Sequence, residues 1–151
     1  MKKIRLFASI MISLFLIGCA STQPTGSLYK STPEVKPGKA QIVFYSYSKV
    51  NAWAESDVVI KVDEKENAIG TLIKGQFLIR DIDPGEHKVW GESSLIDTPE
   101  ILNFEEGKTY YFRYISRNIP FASRTWLILV DEKSAQEELA NCCSDGIEIA
   151  K

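Results

Sequence analysis

His87 is the only side chain of this sequence whose ordinary pKa suits acid–base work near neutral pH. It ends the run Asp81-Ile82-Asp83-Pro84-Gly85-Glu86-His87, where three carboxylates and an imidazole lie close together. On paper, that set could hold a divalent cation. A strand running into a tight turn sends alternate side chains to opposite faces, however, so the four groups diverge. A structural role for His87, fixing the start of a strand, is the simpler expectation. Cys142 and Cys143 have acidic neighbours in Glu137, Glu138 and Asp145, which disfavour the thiolate that a nucleophile needs. Adjacent sulfurs also lack the C-x₂₋₄-C spacing of a zinc site. Three fates stay open for them: a bridge to each other through a tight ring, a link to another molecule, or burial as small apolar groups. Ser93, Ser94 and Ser123 lack a G-x-S-x-G context, and no glycine-rich loop precedes a helix. Twenty acidic residues contain no pair that stands out as a glycosidase pair would. The expectation is a protein without catalytic residues, metal or cofactor; a small enzyme with an unrecognised site is the alternative.

The aromatic residues offer a different chemistry. In Thr109–Ser116, Tyr110, Phe112 and Tyr114 share one strand face, and Tyr111, Arg113 and Ile115 share the other. The first face reads as core. The second, with a phenol beside a guanidinium, is expected to present Tyr111 and Arg113 to a sugar ring or a partner strand. Trp53 and Phe121, in loops, are expected to close the ends of the domain.

The elements that must position these residues are short strands. Ala40–Tyr47 carries apolar groups on both faces and should be covered on both. Val58–Val62 alternates, Ile69–Ile73 returns after a polar turn, and Gln76–Ile82 leads into Asp83-Pro84-Gly85. There Pro84 presets φ, and Gly85 accepts the positive φ of a type II turn. Glu86–Leu95, Glu100–Phe104 and Thr109–Ser116 follow. In the last strand Trp126, Ile128 and Val130 alternate with Leu127 and Leu129, again apolar on both sides and so expected buried. Ser134-Ala135-Gln136-Glu137 has the form of a capping box, predicting two helical turns over Glu137–Cys143, stopped by Asp145-Gly146. About eight evenly spaced short strands predict an all-β fold. It should be a single small β-sandwich, immunoglobulin- or transthyretin-like, over residues 39–131, with a short helix and tail over 132–151.

The order Val62-Asp63, Ile69-Gly70, Pro84-Gly85-Glu86-His87 and Gly107-Lys108-Thr109-Tyr110-Tyr111 is similar to that of a lipoprotein family, domain of unknown function 2846. Members of that family share a Pro-Gly-x-His turn and a Gly-x-x-Tyr-Tyr strand. The same order also resembles the PEGA-type surface β-module. The likeness spans roughly residues 38–131. Glu64 departs from it, standing where a glycine usually tightens the Val-Asp hairpin.

The N-terminus says where such a domain would live. Lys2, Lys3 and Arg5 precede an apolar run from Leu6 to Ile17, too short to span a bilayer but suited to a secretory signal. It ends in Leu16-Ile17-Gly18-Cys19, which resembles the lipobox of bacterial lipoproteins. That resemblance implies diacylglycerol on the Cys19 thiol, recognition of Leu16, Ile17 and Gly18 by the signal peptidase, and removal of residues 1–18. Inner-membrane lipoproteins of this kind carry Asp after the cysteine. Ala20 therefore implies an outer-membrane location, lipid-anchored and facing the periplasm. Residues 19–38, rich in Ser, Thr, Pro and Gly, read as a flexible tether reaching on the order of 25 Å. The signal holds three of the 18 Lys and Arg and none of the 20 Asp and Glu, leaving the mature chain with 15 against 20, net −5. An acidic chain of this kind argues against a nucleic-acid partner. The expected role is a membrane-anchored envelope module that binds or scaffolds a protein or glycan partner.

Overall fold

The computed structural model describes residues 26–47, 58–63, 68–91, 99–119 and 122–145. The lipobox with Cys19 and Ala20 lies outside the described residues, as do Trp53, Glu64, Ser93, Ser94 and Phe121.

Two sheets face each other. The first has the strand order β8-β7-β1-β4-β9, from β1 (Ala40–Tyr45), β4 (Gln76–Ile82), β7 (Thr109–Ile119), β8 (Ala122–Val130) and β9 (Ser144–Asp145). The second has the order β3-β2-β5-β6, from β2 (Val58–Val62), β3 (Ala68–Leu72), β5 (Gly85–Gly91) and β6 (Glu100–Phe104). The fold is thus the expected small all-β sandwich with one short C-terminal helix, α1 (Glu132–Cys142). β1 is central: β4 pairs with it antiparallel from Ala40↔Ile82 to Tyr45↔Phe77, and β7 pairs parallel from Gln41↔Thr109 to Tyr45↔Arg113. A parallel pair needs a long crossover; here the chain makes β2 to β6 between the two strands, rather than a helix.

Every residue of β1 is buried, as its two apolar faces predict. Ile42 and Phe44 point between the sheets, with Leu78, Phe112 and Leu127 on their side and Ile60, Leu72, Val89 and Phe104 opposite. Val43 and Tyr45 point the other way, where Phe77 and Tyr111 are roofed by Tyr29 and by Ala135, Leu139 and Cys143. The domain therefore has a third layer, a helix and an N-terminal strap, on the outer face of the five-stranded sheet.

Three expectations are corrected, and a fourth feature is new. First, the last strand is not buried throughout: Ile128 is 40% and Leu129 51% exposed, because β8 is an edge strand, while Thr125 and Leu127 are buried and Val130 packs partly against the outer cluster. Second, α1 begins a turn and more before Glu137. Asp131 is the N-cap, its carboxylate accepting a bond from the Ser134 amide at 3.0 Å, so the carboxylate three residues upstream takes the amide that Ser134 would have left inside the helix. Third, the tether does not run free to residue 38. Leu28 bridges Ser144, Tyr29 is buried, and Lys36 pairs with Asp81 at 2.6 Å. Fourth, the two-residue strand β9, pairing parallel with Gln76 and Phe77, has no counterpart in the sequence reading. Cys142 and Cys143 are joined to each other, the first of their three open fates.

Candidate functional site

The only histidine sits at one end of the sandwich. Gly85, at φ 133°, turns the chain from β4 into β5 and brings His87 back toward Asp83. The His87 Nε2 lies 2.8 Å from the Asp83 carbonyl oxygen, and Nδ1 lies 2.7 Å from Asp63 Oδ2. Both ring nitrogens face oxygen acceptors, so the ring is held on both sides. Asp63, at φ 61°, also accepts the Lys88 amide at 3.1 Å. Partial burial works to raise the Asp63 pKa. The hydrogen bonds from His87 and Lys88, with their positive charges, outweigh it and hold the carboxyl below its ordinary value. Asp83 is lowered chiefly by its bond to Lys39, at 2.6 Å. Tyr110 stacks edge-on against Phe104, and its hydroxyl accepts the Glu105 amide, locking the β6–β7 turn around Gly107 at φ 75°. Asp63, His87 and Tyr110 thus pin the turns after Val62, at Pro84-Gly85 and at Gly107. None of these contacts brings a nucleophile to the imidazole. Among the described residues, no group of three or more His, Cys, Asp or Glu is placed to hold a metal ion.

The second polar cluster lies beneath α1 and holds the two residues expected to contact a partner. Tyr111 is only 2% exposed, and its hydroxyl lies 3.0 Å from Thr32 and 3.4 Å from the Gln136 amide. Arg113 donates to Glu138 at 2.6 Å, and the opposite Glu138 oxygen accepts the Tyr45 hydroxyl at 2.7 Å. Burial and the neighbouring Glu138 carboxylate raise the Tyr45 pKa strongly, so the phenol stays neutral and donating. This corrects the expected exposed face: the helix covers it, and phenol and guanidinium bind the helix itself. Tyr45 and Glu138 were missed as its partners. The burial of Tyr45 was legible in β1, but nothing in the spacing aligns Glu138 with it. A polar groove of about 310 Å³ opens beside the cluster, lined by Tyr47, Ser134, Glu137, Glu138 and Asn141. Among the described residues, its walls bring two carboxylates and no cationic side chain.

Residues 36–124 match the family described as Protein of unknown function (DUF2846). The chain belongs to that family. No curated protein matches the chain. The DUF2846 match takes in the turn-pinning residues around His87 together with Tyr111 and Arg113, but stops before α1 and so before Gln136 and Glu138. Among the described residues, no helix is long and apolar enough to cross a membrane.

Proposed function

We propose that this DUF2846 protein is an envelope lipoprotein, held in the outer membrane by acyl chains on Cys19, whose β-domain binds or scaffolds a protein or glycan partner without catalysis. The observation that carries the reading is the basic and apolar N-terminus ending in Leu16-Ile17-Gly18-Cys19. Acyl burial at roughly 0.8 kcal/mol per methylene makes two or three chains a lasting anchor. In support of a non-catalytic role, the sole histidine has both ring nitrogens engaged by Asp63 and the Asp83 carbonyl. Partner contact then falls on the open surfaces of the sandwich, away from Tyr111 and Arg113.

Mass spectrometry of the mature N-terminal peptide tests the anchor: Cys19 should carry added acyl mass, and Cys19→Ser should leave an uncut precursor. A soluble product cut elsewhere would overturn it. On density-gradient separation the protein should band with the outer membrane, and Ala20→Asp should hold more of it at the inner membrane. The double variant His87→Ala with Cys142→Ser, if folded and correctly located, should keep its cellular role. Loss of that role would restore the enzyme reading.

A further inference from the structure

The Cys142–Cys143 bridge stands where the end of α1, the strand β9 and the N-terminal strap meet. Cys143 caps the helix, its amide donating to the Leu139 carbonyl at 3.1 Å. The next bonds hold the strap. The Cys143 carbonyl accepts the Tyr29 amide, the Ser144 amide donates to the Gly75 carbonyl, and the Asp145 amide donates to the Ser27 carbonyl, each at 2.9 Å. Leu28 bridges Ser144, and Gly26 lies against the Asp145 backbone. A disulfide stabilises a fold chiefly by closing a loop in the unfolded chain, and the gain rises with loop length. Between neighbours there is almost no loop to close. The bridge therefore adds little to the fold as a whole and acts on the junction around it.

The two cysteines have unlike surroundings. Cys143 is 2% exposed and packs with Tyr29, Phe77, Ala135 and Leu139, while Cys142 is half-buried at the margin of that cluster. Cys142 is thus the one that an incoming thiolate reaches. Once the bond is cut, the two sulfurs need van der Waals spacing in a layer packed without slack. The Tyr29 ring, edge-on to Phe77 at 5.4 Å, shares that layer. Cys143 has a ready place as a thiol, with its sulfur 3.9 Å from the Ser46 carbonyl, so the shift falls on Cys142 and the backbone joining the pair. That backbone leads directly into the bonds that hold the strap. We propose that Cys142–Cys143 is a reversible redox site, reduced by a dithiol, whose state decides whether residues 26–29 stay docked on residues 143–145. A thiolate of the reductant attacks the Cys142 sulfur, and the Cys142–Cys143 bond breaks as Cys143 leaves with the electron pair and takes up a proton. The second thiol of the reductant, as thiolate, then attacks its own sulfur in the mixed disulfide and releases Cys142, which is protonated in turn. Two electrons and two protons reach the pair, and the reductant ends as a disulfide. The pairings among β1 to β8 use none of these residues, so the inference is independent of the lipid anchor and of the partner-binding role.

The test uses the full chain in mild detergent, prepared under oxidising conditions and then treated with dithiothreitol. Alkylation and hydrogen–deuterium exchange are both read by mass spectrometry. The peptide holding Cys142 and Cys143 should take no alkylating label before reduction and two after it. Reduction should speed exchange of the Tyr29, Ser144 and Asp145 amides about tenfold and leave the β1 amides unchanged, and reoxidation should reverse the effect. Cys142→Ser should show the fast strap exchange with or without the reductant. Two free thiols before treatment, a bridge that resists dithiothreitol in the folded chain, or equal strap exchange in both states would each overturn the proposal. So would loosening of the strap and β1 together, which is global unfolding rather than a local switch.

Discussion

The two faces of β1 bury side chains of similar size in unlike company. Inward, Ile42 and Phe44 meet hydrocarbon from both sheets, with the Phe44 and Phe112 rings stacked 5.4 Å apart. Outward, Val43 and Tyr45 lie in a layer where the hydroxyls of Tyr29, Tyr45 and Tyr111 each have a named partner: Thr32, Glu138, and Thr32 with Gln136. Dispersion and the hydrophobic effect hold the inner layer without demanding one orientation. The outer layer adds directional bonds, and an unmade bond there leaves a polar group with little access to water. The inner packing makes the sandwich; the outer bonds fix where the helix sits on it.

That contrast can be tested from the core outward. Phe112→Ala should cost about 3–5 kcal/mol in denaturant unfolding, since the ring is fully buried between the sheets. A cost near 1 kcal/mol would mean that the inner layer collapses around the gap. Glu138→Ala should cost about 1–3 kcal/mol, because it removes the acceptor of both Tyr45 and Arg113. A double-mutant cycle of Arg113→Ala with Glu138→Ala should give a coupling of at least about 0.5 kcal/mol; independent effects would deny the outer layer its directional character.

Asp63 gives a smaller effect with a definite sign. Its folded pKa is lowered, so the stabilisation is fully present above the unfolded value, near 3.8, and is lost as pH falls through the folded value. Its side chain is 44% exposed, which screens the pair and keeps the contribution under about 1 kcal/mol. Asp63→Asn should therefore flatten the acid limb of the stability curve and remove that amount at neutral pH. The smallest effect belongs to Ile128→Ala, below about 0.5 kcal/mol. A core-sized cost would return β8 to the interior.

The inner layer was legible because its information is local. Gln76–Ile82 and Glu100–Phe104 appear with the boundaries that alternation and turn residues predict. β8 was misread because its sequence, like that of β1, is apolar on both sides. One strand is central and the other an edge, and strand order is set by distant pairings that alternation cannot express. Tyr111 and Arg113 were placed on the correct face, but the cover for that face comes from Thr32, Gln136 and Glu138, far along the chain in both directions. The helix start was misplaced for a local reason: Ser134 opens a capping-box pattern, but Asp131, three residues earlier, is also a good cap and takes the role, adding a turn. β9, with two residues, offers no period to read.

The strap that joins residues 26–29 to the segment after α1 bears on how the domain responds to mechanical load. Tyr29 donates its amide to the Cys143 carbonyl and Asp145 donates to Ser27, both at 2.9 Å, while Ser144 donates to Gly75. Gly26 lies so close to the Asp145 backbone that no side chain would fit there. A pull on the N-terminal segment is therefore shared at once with the segment after α1, and through Gly75 with the start of β4, before β1 is reached. The entry point behaves as a clasp whose few bonds yield ahead of the sandwich. Tension would be felt first as release of residues 26–29 from residues 143–145, with β1 to β8 still paired.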